Sequence, residues 1–202
     1  MQKIVLIIFG LAFAFSVSAK ESIRGHYQLV GSIPTAHSVS KVVFEEFMNF
    51  GCPHCNRLHK ASKDFRKKFA EKVEFIDIPI VFRGQDDSPL RLYYVARKIG
   101  KGKLIKDELF KASFIHGVNV FDPGITNYLA RSLGINKEYQ QEKDQAWVNK
   151  LIKEGERKSA IYGVTGTPTV VIQHSLKMDI SPYGTMSEFV KQVPETIADL
   201  MQ

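Results

Sequence analysis

Cysteine is nearly absent from this chain: Cys52 and Cys55 are the only two in 202 residues. Two cysteines cannot make a disulfide framework at this length, so the core must come from hydrophobic burial. The 44% apolar content suffices for one domain, or one domain with a large insertion. No second Cys-x-x-Cys and no His-x-x-x-His pair occurs, so a zinc site would have to combine both cysteines with His54 and His59. Asn56 stands where a haem-attachment motif needs histidine. Beyond the first 15 residues no apolar run reaches membrane-spanning length, and no repeat or low-complexity stretch is evident. The net charge of +7 is modest, and the basic residues line a helix whose other face is core. Together with an N-terminal export signal, this argues against nucleic acid as a partner.

Met1-Gln2-Lys3 is a short positive start, and Ile4 to Phe15 is apolar. Ser16-Val17-Ser18-Ala19 then offers small residues where a signal peptidase reads, so residues 1–19 are expected to be a secretory signal cleaved after Ala19. The alternatives are an uncleaved leader or a membrane anchor. The run is shorter than the ~20 residues of a spanning helix, and no lipobox cysteine exists. Export places the cysteines in an oxidising compartment, the periplasm, where a disulfide persists. The rest is expected to be soluble.

What is present is organised around Cys52-Pro53-His54-Cys55. The run Val42 to Phe47 before it, β-branched and aromatic, predicts a buried strand. Gly51 gives the turn, and Pro53 sits in the first helical turn, where its missing N–H costs nothing. Leu58, Ser62, Phe65 and Phe69 share a helix face with Cys55, and Arg57, Lys60, Lys63, Arg66, Lys67 and Lys68 take the other. Cys52 thus lies at a helix N-terminus, where free N–H groups favour the nucleophilic thiolate. Cys55, one turn inside, can close a disulfide with it. A two-residue gap closes too little chain for a strongly stabilising structural disulfide. A dithiol redox pair is the expectation.

Residues 20–82 and 163–202 read as two parts of one α/β domain. Tyr27 to Val30 predicts an edge strand, Gly31 to Ser40 a loop, and Val73 to Phe82 a second strand parallel to the first. Glu45 and Glu46 are unusual in a strand: either one has a task in the interior, or both reach solvent at a sheet edge. Residues 83–162 predict four helices without a strand: one capped by Ser88 before Pro89 and apolar from Leu90 to Ile99, one over Lys103 to Ile115, one capped by Asp122 before Pro123, and one over Lys137 to Ile161. Gly163 to Ile172, a glycine-rich turn running into Val170-Val171-Ile172, and Leu176 to Ser181 return to strand. Thr185-x-x-Glu188 is a capping box for a terminal helix, which Pro194 should kink or split.

Cys-Pro-His-Cys after a buried strand resembles the DsbA family of thiol:disulfide oxidoreductases, a thioredoxin-like fold with an inserted all-helical domain. The resemblance implies that Glu46, six residues before Cys52, lies beneath the buried cysteine and handles its proton. It implies a cis peptide at Thr167-Pro168, set against the cysteines and used to dock substrate. His54 would stabilise the Cys52 thiolate. Two departures stand out. Asp77 occupies the strand position where some members carry lysine, and Thr167 replaces the usual valine before the proline.

The expected function is that of a periplasmic, monomeric enzyme without a cofactor or metal, donating disulfides to reduced or unfolded secreted proteins. By resemblance, a membrane quinone-linked, DsbB-like oxidase would reoxidise it. A reductase or isomerase of the same fold is the alternative within the class. The DsbC type, with its separate dimerisation domain, is disfavoured by the few residues before the first strand. A metal-trafficking or chaperone module using the cysteines as ligands is the alternative outside it.

Overall fold

A computed structural model describes residues 23–31 and 38–202. The expected signal segment and most of the expected Gly31 to Ser40 loop lie outside the described residues. The sheet has five strands in the order β1-β5-β4-β2-β3: β1 Tyr27–Leu29, β2 Val42–Met48, β3 Val73–Pro79, β4 Thr169–Ile172 and β5 Leu176–Met178. Among the described residues only β2 and β3 pair in parallel. Their crossover carries α1 Pro53–Ala61 and α2 Lys63–Lys68. β2 is an interior strand between β4 and β3, and all but one of its seven residues are buried, so both of its faces are covered.

One expected helix is two. Ser62 ends α1 and opens α2, with its hydroxyl bonded back to the His59 carbonyl at 3.4 Å in place of solvent. The interruption shifts the helical phase of the residues after Ser62. Phe65 still points into the core, but Arg66 turns inward instead of joining the solvent face.

Among the described residues, five helices rather than four separate β3 from β4: α3 Ser88–Lys98, α4 Gly102–Phe114, α5 Pro123–Ser132, α6 Asn136–Glu142 and α7 Ala146–Ile161. The fourth predicted helix is cut between α6 and α7, where Gln145 is extended. Arg91 of α3 donates to the Lys143 carbonyl at 2.8 Å, taking an acceptor that an unbroken helix would use itself. Asp122 caps α5 through Gly124 N–H, as expected, whereas Asp87 rather than Ser88 precedes α3. A short 3₁₀ turn over Ser181–Tyr183 leads to α8 Met186–Leu200, capped by Thr185 accepting from Glu188 N–H. Pro194 does not split α8.

Two large cores result. Phe44, Leu58, Phe65, Val170, Ile172, Phe189 and Val193 fill the space between the sheet and α1, α2 and α8. A second core inside the helical insertion reaches Met48, Phe50 and Cys55. Cys55 therefore sits where the insertion meets the sheet domain.

Candidate active site

Asn49 builds the turn into α1, and sequence reasoning passed over it. Its Oδ1 accepts from Gly51 N–H at 2.9 Å, and its Nδ2 donates to the Ile80 carbonyl at 2.9 Å. Its carbonyl accepts from Cys52 N–H at 3.1 Å. An asparagine just before a glycine turn was the available signal. Gly51 is required by closeness: a Cβ there would lie 2.8 Å from the Phe121 ring.

Cys52 is the N-cap residue of α1, partly exposed, while Cys55 is fully buried; both are free thiols. A hydrogen bond from the Cys55 thiol pulls Cys52 down to a pKa of about 5. Burial opposes this, and the Thr167 side chain and the backbone N–H groups of Cys55 and His54 reinforce it. Cys55 is pushed far above the ordinary thiol range, first by its bond to Cys52 and then by burial. The two environments separate an ionised outer sulfur from a protonated inner one.

Thr167-Pro168 is cis, and the Cys52 thiol, when protonated, donates to the Thr167 carbonyl at 3.1 Å. The turn into β4 is thus set against the dithiol. Beside them runs a cavity of about 480 Å³ lined by His54, Arg57, Thr167, Pro168, Thr185 and Met186, among others. His54 itself is exposed. Its Nδ1 accepts from Arg57 Nη2 at 2.9 Å, because a guanidinium can only donate. The His54 backbone N–H is one of the groups that lower the Cys52 pKa.

Glu45 and Glu46 are both wholly buried on an interior strand, which removes the sheet-edge alternative. They face opposite ways. Glu45 is held by Lys158 at 2.6 Å, His174 at 2.9 Å and the Tyr162 hydroxyl at 3.2 Å. Glu46 lies on the same strand face as Met48, which belongs to the same core as Cys55, and it is the register partner of Asp77. Two adjacent buried carboxylates would repel. Arg66 bridges them, at 2.5 Å from Glu46 and 2.7 Å from Asp77, and Lys106 sits 3.0 Å from Asp77 and 3.5 Å from Glu46. Burial pushes Asp77 up, but Lys106 and Arg66 outweigh it and hold it below the usual carboxylate range. Lys106 supplies a buried ammonium from α4. Its position beside Ile105 and at helical spacing from Leu109 and Phe110 marked it as inward-facing. Glu46 Oε1 has no hydrogen-bond partner.

The histidines considered as zinc ligands do not converge on the cysteines. His59 is buried, stacked on Phe110 and 2.6 Å from Asp107. Among the described residues no group of three or more His, Cys, Asp or Glu is placed to hold a metal ion.

Residues 33–192 match the family described as Thioredoxin. The chain is 25% identical over 193 residues to the thiol:disulfide interchange protein DsbA of Pseudomonas syringae, covering 95% of this chain and 89% of that protein. It is 27% identical over 216 residues to DsbA of Escherichia coli K12, covering 100% and 99%. The fold is similar to the crystal structure of Pseudomonas aeruginosa DsbA, with a TM-score of 0.73 at 18% identity over 86% of this chain and 91% of that one. It is also similar to Proteus mirabilis DsbA in complex with a non-covalently bound peptide, with a TM-score of 0.69 at 20% identity over 90% and 99%. With a free dithiol at the head of α1, a cis-proline turn against it and helices inserted between β3 and β4, the chain belongs to the thioredoxin family and, within it, is a DsbA-like thiol:disulfide oxidoreductase.

Proposed function

We propose that this enzyme donates disulfides to secreted proteins in the periplasm. The observation that carries the direction is the separation of the two thiols, with Cys52 at a pKa of about 5 and Cys55 pushed far above the ordinary range. A reduced form stabilised as a thiolate makes its disulfide a stronger oxidant.

A substrate thiolate attacks Cys52 of the Cys52–Cys55 disulfide. The Cys52–Cys55 bond breaks, and Cys55 leaves with the electron pair and takes a proton. Glu46 handles that proton; its support is its position on the Met48 face and its unpartnered Oε1. A second substrate thiolate then attacks the substrate sulfur of the mixed disulfide, and Cys52 leaves as the stabilised thiolate. Two substrate thiols become one disulfide, and the enzyme accepts two electrons. Thr167 and Pro168 present backbone to an extended substrate segment in the cavity beside Cys52. His54 adds to thiolate stabilisation. A membrane quinone-linked, DsbB-like oxidase removes the electrons.

Thr167 favours a second reading, because the threonine before the cis-proline also fits isomerases and reductases of this fold. Trapping tests the shared chemistry. Cys55→Ala is expected to accumulate mixed disulfides with exported proteins through Cys52, and Cys52→Ala to accumulate few. Trapping through Cys55 alone would overturn the assignment of the attacking sulfur.

A further inference from the structure

The largest cavity beside α2 is not the one at the cysteines. A space of about 640 Å³ opens between α2 and the junction of α3 with α4. Six of its twelve lining residues are Lys or Arg, against 28 in the 202-residue chain, while only Asp64 and Asp77 are acidic. We infer that this cavity binds a phosphate-bearing anion.

Charge is concentrated at the rim, not the floor. On the floor, Arg66 and Lys106 are matched by Glu46 and Asp77, two cations against two anions. Lys63 is drawn to Asp107 at 3.0 Å. Lys67, Arg97 and Lys103 remain exposed, facing only Asp64 among the lining acids outside the floor cluster. Arg97 is steadied over the rings of Tyr94 at 5.0 Å and Tyr93 at 5.9 Å, so its guanidinium is held without a carboxylate.

Two further features favour an anion. Gly102 and Lys103, the first residues of the 13-residue α4, line the cavity, and no side chain caps that helix. Its free N–H groups and positive dipole end therefore face the same space as the rim cations. Arg66 also lines the cavity, and its Nε is a buried donor without a partner. A phosphate group, with several oxygens and more than one charge, can meet an amide cluster, an ammonium and a guanidinium at once.

Calorimetric titration of the purified protein with inorganic pyrophosphate tests this. Saturable binding at one site is expected, and Lys67→Glu with Lys103→Glu should weaken it by about tenfold or more, as expected for losing charge-assisted contacts. Lys150→Glu, an exposed reversal on α7, should leave it unchanged. No binding by the unmodified protein, or equal weakening by Lys150→Glu, overturns the site. Co-sedimentation with phosphatidylglycerol vesicles distinguishes sources. Retention abolished by the Lys67 and Lys103 reversals supports the site with a lipid headgroup as ligand. Pyrophosphate binding without retention supports it with a soluble phosphate.

Discussion

The sulfur of Cys52 lies 3.1 Å from the carbonyl oxygen of Thr167, a residue 115 positions away in the chain. The contact joins the head of α1 to the cis-proline turn, so each motif shapes the chemistry of the other. The Thr167 side chain also helps lower the Cys52 pKa. Thr167→Val removes the hydroxyl while keeping the shape and the backbone carbonyl. The Cys52 pKa should rise by about one pH unit, the scale of one hydrogen bond to a charged group. The pH profile of alkylation checks it, and an unchanged midpoint would remove Thr167 from thiolate stabilisation.

Ionisation of Cys52 also links stability to pH. Its folded pKa of about 5 lies below the ordinary 9.0, so the reduced protein gains stability as pH rises from about 5 towards 9 and loses it as pH falls through 5. Cys55 opposes this only as pH passes the ordinary thiol value, because burial and its bond to Cys52 keep it protonated. Urea denaturation between pH 5 and 8 should show the reduced protein gaining on Cys52→Ser. Parallel curves would contradict the thiolate assignment.

The buried charges under the site should respond as a unit. Lys106→Met leaves Glu46 and Asp77 sharing Arg66 alone, and should destabilise the fold by about 3–5 kcal/mol. Adding Asp77→Asn should recover part of the loss. Additive effects in a double-mutant cycle would mean that the two residues are uncoupled.

His54→Ser keeps the backbone N–H that reaches Cys52 and removes only the ring. The reduction potential should become more negative, by about 30 mV for about 1.4 kcal/mol of lost thiolate stabilisation. An unchanged potential would assign the effect wholly to backbone amides, Cys55 and Thr167.

Much of this was legible because local chemistry decided it. Gly51, Pro53 and the apolar stripe of Leu58 and Phe65 specify the turn, α1 and the inward face of α2 without help from distant residues. Asp122 and Thr185 cap helices as their neighbours require. What was not legible depended on partners far along the chain. Arg66 looked like a solvent-face residue until the break at Ser62 turned it towards Glu46 and Asp77. The cut between α6 and α7 depends on Arg91, 52 residues before the carbonyl it captures. Asp77 looked like a missing lysine, because the compensating ammonium of Lys106 comes from another element.

The direction of catalysis rests on the stabilised Cys52 thiolate, and redox equilibration against glutathione measures its consequence directly. A potential clearly less negative than that of the glutathione couple is expected, marking a disulfide donor. A value near about −270 mV, the range of a thioredoxin-type reductant, would contradict it.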